Sequence, residues 1–338
     1  IWLGAFVVKG AAMQAMELRQ PGAPLVMVSR AAPVPGPNQV RVRVGACGVC
    51  RTDLHVVDGD LPLRMLPIVP GHEVVGYVDA LGPGAVLSIG QRVGIPWLGQ
   101  TCETCEFCRN GRENLCDDPV FTGYTRDGGY ATHVLADARY TIVLPDKGDD
   151  VATAPLLCAG LIGWRSLRIA GDGRRVGLYG FGAAADIVAQ IARWQGRDVY
   201  AFTRAGDDKA RAFALKLGAC WVGSSEDQPD QALDCAIIYA PVGVLVPAAL
   251  KAVRKGGRVV CAGIHMSDIP SFPYALLWQE REVVSVANLT REDGVEFFRL
   301  LPKVGIVTET TVYPLDAANQ ALTDLRSGAL QGAAVLVP

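Results

Sequence analysis

Four cysteines fall within fifteen residues, as Cys102-x2-Cys105-x2-Cys108-x7-Cys116. No other feature restricts the folding of this chain so tightly. A packed core has no use for thiols at that density, whereas a tetrahedral zinc ion takes four thiolates and closes its shell with them. The intervening residues are polar and nearly free of β-branched side chains, so the segment reads as a loop wrapped around an ion. A closed shell leaves no position for a substrate. The loop is therefore structural, and the chemistry has to come from elsewhere in the chain.

The length of 338 residues suggests two domains, and half of the residues are hydrophobic, enough for a sizeable core. A net charge of −2 argues against a nucleic-acid partner, which selects a basic excess. Ten cysteines are too few for a disulfide scaffold once four are committed to the loop. Cys220, Cys235 and Cys261 lie in apolar, strand-like surroundings and are expected as buried thiols. A reducing, cytoplasmic setting follows. No apolar run is long enough to span a bilayer, so no membrane partner is expected. Residues 1–12 are apolar but lack a basic start, a long apolar core and a cleavage motif, so they are expected to be an N-terminal extension and not a signal peptide.

Val40, Val42 and Val44 alternate with Arg41 and Arg43, the period of a half-buried strand. Short strands punctuated by Gly and Pro continue to about residue 145, a β-rich texture. From Arg174 the pattern changes. Strands are predicted at 175–179, 199–203, 232–239, 258–262 and 283–286, and helices at 183–194, 207–217 and 243–254. Alternation at this spacing implies a doubly wound parallel sheet with helices on both faces. The fold class is thus α/β, with a β-rich domain joined to a doubly wound parallel-sheet one. The last segment, Ala333–Val337, is a strand that could rejoin the first domain.

Gly180-Phe-Gly182-Ala183-Ala-Ala185 follows a predicted strand and opens a predicted helix. Gly180 permits the tight turn, and Gly182 lets the backbone approach a pyrophosphate at the helix N-terminus. At the end of the second strand the sequence is Thr203-Arg204, with no carboxylate until Asp207. A carboxylate there would bind the ribose 2′-OH of NAD, whereas a hydroxyl followed by a guanidinium suits the 2′-phosphate of NADP. The expected cofactor is NADP, with NAD possible. A solvated turn arginine is the plainer reading of Arg204. Gly263, just past the predicted strand 258–262, joins the candidate cofactor-binding residues.

Cys50, His72 and Cys158 are isolated candidate ligands, separated by 22 and 86 residues. Spacing alone does not assemble them, and a lone histidine is more often a satisfied polar residue. The chain from Met13 onward, however, resembles the zinc-dependent medium-chain alcohol dehydrogenases, in particular their bacterial and yeast-like branch. The matching stretches are Gly48-Val-Cys-Arg-Thr-Asp-Leu-His55, Pro70-Gly-His-Glu-Val-Val-Gly76, the four-cysteine loop, Phe121-Thr-Gly-Tyr-Thr-Arg-Asp-Gly-Gly129, Ala154-Pro-Leu-Leu-Cys-Ala-Gly160 and the glycine turn.

The resemblance implies a GroES-like catalytic domain at 13–152 and 291–338 and a Rossmann domain at 153–290. It implies two zinc ions per chain, one held by Cys102, Cys105, Cys108 and Cys116, and a catalytic one held by Cys50, His72 and Cys158. Two cysteines and one histidine with an open fourth position are the ligand set of alcohol dehydrogenase. An open position beside a cation suits hydride chemistry, because the cation stabilises a deprotonated alcohol and polarises an aldehyde. Residue by residue, Thr52 matches the hydroxyl that accepts the alcohol proton and His55 the relay base. Asp53 matches the carboxylate orienting His72, Glu73 the carboxylate behind the metal, and Arg51 a pyrophosphate contact. Helix capping is a plainer role for Thr52 and Asp53, compatible with the first.

Two departures stand out. Gln331-Gly-Ala-Ala-Val335 places Ala333 or Ala334 where many relatives carry a phosphate-binding arginine, and Arg291 is a candidate substitute. Leu61 stands where ethanol-preferring enzymes of the yeast-like branch carry tryptophan, while Trp97 keeps its aromatic. The implied substrates are medium-chain or aromatic primary alcohols and aldehydes as well as short ones, and the implied assembly is a homodimer or homotetramer. The rivals are a polyol dehydrogenase, in which Glu73 takes part in binding zinc and against which Cys158 argues, and a noncatalytic dinucleotide sensor, which has no need for Cys50, Thr52, His55 and His72 together.

Overall fold

A computed structural model describes residues 12–62, 64–330 and 332–338. Most of the N-terminal extension, and Gln331, lie outside the described residues. The chain divides into two compact units, one comprising residues 1–101, 118–157 and 310–338, the other residues 102–117 and 158–309.

In the first unit, the valine alternation produces the long strand Gln39–Val49, in which Val40, Val42 and Val44 are buried. Each such side chain contributes roughly 1.5–3 kcal/mol through its burial. The strand pairs antiparallel with Glu73–Leu81, His133–Asp137 and Ala333–Val337. The sheet runs on through Arg92–Ile95 to Ile142–Val143 on one side and ends at Thr310–Pro314 on the other. A helix, Arg51–Asp58, leaves the long strand at Cys50 and stops at Gly59, whose left-handed φ of 81° suits glycine. The register sets Gly48 opposite Glu73, so the chain entering the helix runs beside the chain leaving His72. A Cβ at Gly48 would overlap the Glu73 carboxylate, which explains the glycine there.

The second unit carries a six-stranded parallel sheet in the order Trp221–Ser224, Asp198–Thr203, Arg175–Tyr179, Leu233–Ile238, Val253–Cys261, Glu282–Ser285. Counted along the chain, that order is 3-2-1-4-5-6, the Rossmann arrangement. The central strands are buried on both faces and read as apolar runs, with Val176, Leu178, Ala236, Ile237 and Val259 wholly inaccessible. The fold class matches the expectation from sequence. Two local expectations do not hold. The helix expected over 243–254 spans only Leu245–Ala252, because Lys255-Gly-Gly257 breaks helical backbone and Val253 already begins the next strand. Cys235 and Cys261 are buried, but Cys220 is exposed, since it lies in the turn entering the edge strand Trp221–Ser224.

Candidate active site

Cys50 is the N-cap of helix Arg51–Asp58, with extended backbone, and its N–H donates to Asp53 Oδ2 at 2.8 Å. Asp53 is buried, and its Oδ1 lies 2.9 Å from His72 Nδ1 and accepts from Gly71 N at 3.3 Å. One carboxylate thus meets both the N-terminus of the helix and the His72 ring. His72 is fully buried, and with Nδ1 on a carboxylate its Nε2 has no hydrogen-bond partner. An orphaned buried nitrogen costs about 1–3 kcal/mol unless something satisfies it. Cys50, His72, Glu73 and Cys158 each present one donor atom, and the four atoms lie within 4.8 Å of one another. Cys158 directly follows Leu157 and caps the helix Ala159–Ala170. Two thiols and an imidazole nitrogen brought this close fit a soft divalent cation.

The charges around this centre oppose one another. Burial alone would lower the His72 pKa, but the Asp53 carboxylate, by charge and by hydrogen bond, leaves it well above 6.5. Burial raises the Glu73 carboxyl, and the Cys50 charge raises it further. Thr52 is buried, with Oγ1 3.8 Å from Cys50 Sγ. His55 sits one turn on, its Nδ1 2.8 Å from Asp60 Oδ2, while Arg51 is exposed at the helix start. The Trp97 ring meets His72 edge-on at 5.0 Å and is stacked with Phe121 and Tyr124. Leu61 is partly buried and packs against the core of the same unit.

The four cysteines of the loop also converge, with sulfurs within 4.8 Å of one another. Cys105 N points at Cys102 Sγ at 3.3 Å and Cys102 N at Cys116 Sγ at 3.4 Å. Backbone N–H donors from Thr104 and Cys105 hold the Cys102 thiol down at about 6, and those of Cys108 and Asp117 lower Cys105. Thiolates at neutral pH are what a zinc loop requires. The segment is tied to the stretch of its own unit that follows the last strand of the parallel sheet. Arg291 N and Nε reach Glu113 Oε1 at 3.0 and 3.3 Å, its other end lies 3.7 Å from Glu103, and Asn114 Nδ2 donates to Ala287 O. Arg291, the candidate substitute for a phosphate contact, is thus committed to this clamp by two carboxylates.

At the C-terminal edge of the parallel sheet, Gly180 has a φ of 86°, and a Cβ on it would lie 2.7 Å from Ala240 N. Only glycine fits between the first and fourth strands in chain order, where the strand order reverses. Gly182 caps helix Ala183–Trp194 with open space around it. Thr203 is buried at the end of the second strand and Arg204 is exposed beyond it, with Asp207 turned away to cap the next helix. Gly263 follows the strand Val253–Cys261, where a Cβ would press on Ala240 O at 3.2 Å.

Four contributors were assigned no role from the sequence. Tyr130 donates to Asp53 Oδ2 at 3.2 Å, Asp60 pairs with His55, and Phe121 and Tyr124 back Trp97. Tyr130 immediately follows the matched stretch ending at Gly129, and that position was its only signal.

Residues 36–146 match the family model described as the alcohol dehydrogenase GroES-like domain. The chain is 46% identical to the probable alcohol dehydrogenase AdhA of Mycobacterium tuberculosis, over 97% of this chain and 98% of that protein. Among solved structures, it resembles a cinnamyl alcohol dehydrogenase, SbCAD4, of Sorghum bicolor, with a TM-score of 0.86, 25% identity, and coverage of 97% of this chain and 98% of the other. A cobalt- and zinc-bound thermostable alcohol dehydrogenase of Pyrobaculum aerophilum gives a TM-score of 0.87 at 26% identity, covering 97% of this chain and all of that one.

Proposed function

The chain belongs to the zinc-dependent medium-chain alcohol dehydrogenases, and on that premise we propose that it moves hydride between NADP(H) and medium-chain or aromatic primary alcohols and their aldehydes, with NAD(H) as the weaker cofactor. The observation that carries this reading is the buried, unpartnered Nε2 of His72 beside Cys50. Cys50, His72 and Cys158 hold the catalytic zinc, and Cys102, Cys105, Cys108 and Cys116 hold the second. Zinc supplies Lewis acidity there, lowering the proton affinity of an alcohol oxygen and polarising a carbonyl.

The chain's own groups do the rest. Asp53 fixes the His72 tautomer by holding Nδ1, which leaves Nε2 free for the metal. The Thr52 hydroxyl takes the substrate proton, and His55, steadied by Asp60, passes it on towards solvent. Glu73 stands ready as an exchange ligand. Trp97, stiffened by two stacked aromatics, gives a flat apolar wall, and Leu61 in place of tryptophan leaves room for a longer or aromatic substrate. The glycine turn takes the pyrophosphate, with Ala183 and Gly263 beside it and Arg51 pairing with its charge. Thr203 and Arg204 take the 2′-phosphate. Ten cysteines with no disulfide among the described residues fit a reducing, cytoplasmic setting, and the assembly proposed is a homodimer or homotetramer.

Steady-state kinetics with ethanol, hexanol and benzyl alcohol, each with NADP and with NAD, test the reading. A higher kcat/KM for hexanol and benzyl alcohol with NADP supports it. A strict preference for ethanol, or for NAD, contradicts it.

A further inference from the structure

We propose that Tyr130 is a positioning residue for the catalytic metal centre, acting through Asp53 to hold the His72 imidazole in its binding orientation; this rests on the zinc reading above. Tyr130 is wholly buried, and its hydroxyl donates to Asp53 Oδ2 at 3.2 Å. The same oxygen accepts from Cys50 N at 2.8 Å, while Oδ1 meets His72 Nδ1 at 2.9 Å and Gly71 N at 3.3 Å. Each carboxylate oxygen therefore has two donors. A carboxylate turns easily about its last torsion unless donors fix it. Tyr130 is the one donor of the four that neither belongs to, nor adjoins, the segments of Cys50 and His72. It is the outside brace against which the other three are aligned.

The backbone adds a second hold on the same group. Gly128 N, Gly129 N and Tyr130 N donate to Val69 O, Gly71 O and Pro70 O at 2.7, 2.9 and 3.0 Å, along the three residues that lead into His72. The packing requires glycine at position 71. Its φ is 99°, and a Cβ there would overlap the Tyr130 ring and lie 2.9 Å from Cys47 Sγ. The phenol ring thus packs against the segment whose histidine it indirectly aims.

Tyr130→Phe removes one oxygen and leaves that ring packing in place. The measurement is zinc affinity, by competition of metal-free protein with a chromogenic chelator, together with the visible spectrum of the cobalt-substituted protein. Losing a direct partner of a metal-bound histidine costs about 10- to 100-fold in affinity. One contact further out, Tyr130→Phe is expected to weaken one of the two bound zinc ions about three- to tenfold, leave the other unchanged and shift the cobalt bands. In an Asp53→Asn background the same substitution is expected to add almost nothing. Unchanged affinity and cobalt bands, equal weakening at both sites, or full additivity with Asp53→Asn would each overturn the assignment. Wild-type protein that binds a single zinc would overturn the metal reading beneath it as well.

Discussion

The loop 102–117 and the centre around His72 bring metal-binding groups together by opposite means. In the loop all four thiols come from fifteen consecutive residues, none of Cys102, Cys105 or Cys108 is buried, and backbone N–H groups lower the thiol pKa values. Around His72 the candidate ligands come from distant segments, the imidazole is fully buried, and the Asp53 carboxylate that meets it is itself met by the Tyr130 phenol. A closed local shell can contribute only to folding. A site assembled from distant segments is pre-organised by the fold, and its unused nitrogen faces chemistry. The cost of distance is dependence on supporting residues that do not themselves touch metal.

That contrast orders the expected effects. His72→Ala removes an inner ligand and is expected to lower kcat/KM for aldehyde reduction about a thousandfold or more in the protein that stays folded, a loss of several kcal/mol of transition-state stabilisation. Cys105→Ser opens the loop and should act on stability instead. The thermal midpoint is expected to fall by about 5–10 °C, because structural metal binding is folding energy, while kcat per folded molecule stays close to wild type. If Cys105→Ser abolished turnover in protein that stays folded, the division between the two sites would be wrong. Arg204→Asp touches neither metal site and is expected to raise the KM for NADPH about 10- to 100-fold while leaving that for NADH almost unchanged. Equal losses for both cofactors would remove Arg204 from the 2′-phosphate.

The smallest effect concerns Asp186, in the first turn of the helix after the glycine turn. Burial raises its carboxyl from 3.8 to about 6, against the pull of the Gln190 amide. A folded pKa above the unfolded one means that folding favours the protonated form. The stability from this group is therefore full below its ordinary value of 3.8 and is lost as pH rises through about 6. Asp186→Asn is expected to raise the melting temperature by about 2 °C at pH 8 and by nothing near pH 4. A gain of the same size at both pH values would show that the effect is not titration.

What was legible in the sequence follows the same contrast. The loop could be read from spacing alone, because its geometry is local. So could the parallel sheet, since buried strands read as apolar runs and the glycine turn marks the point where strand order reverses. Cys50, His72 and Cys158 were joined into one site only through family resemblance, because spacing carries no trace of a site closed by tertiary packing. Tyr130 and Asp60 went unread for a related reason. A buried tyrosine in a strand-rich segment has the signature of core, and only the Asp53 contact marks it otherwise. The short helix Leu245–Ala252 shows the limit of periodicity, where the glycines at 256 and 257 set the boundary that the apolar pattern did not.

The most direct test is a zinc count on wild-type protein and on Cys50→Ser, made alongside NADPH-dependent aldehyde reduction. The account predicts two zinc ions per chain in the wild type, one in the variant, and loss of turnover together with the lost ion. A single zinc in the wild type, or turnover that persists in Cys50→Ser, would contradict it.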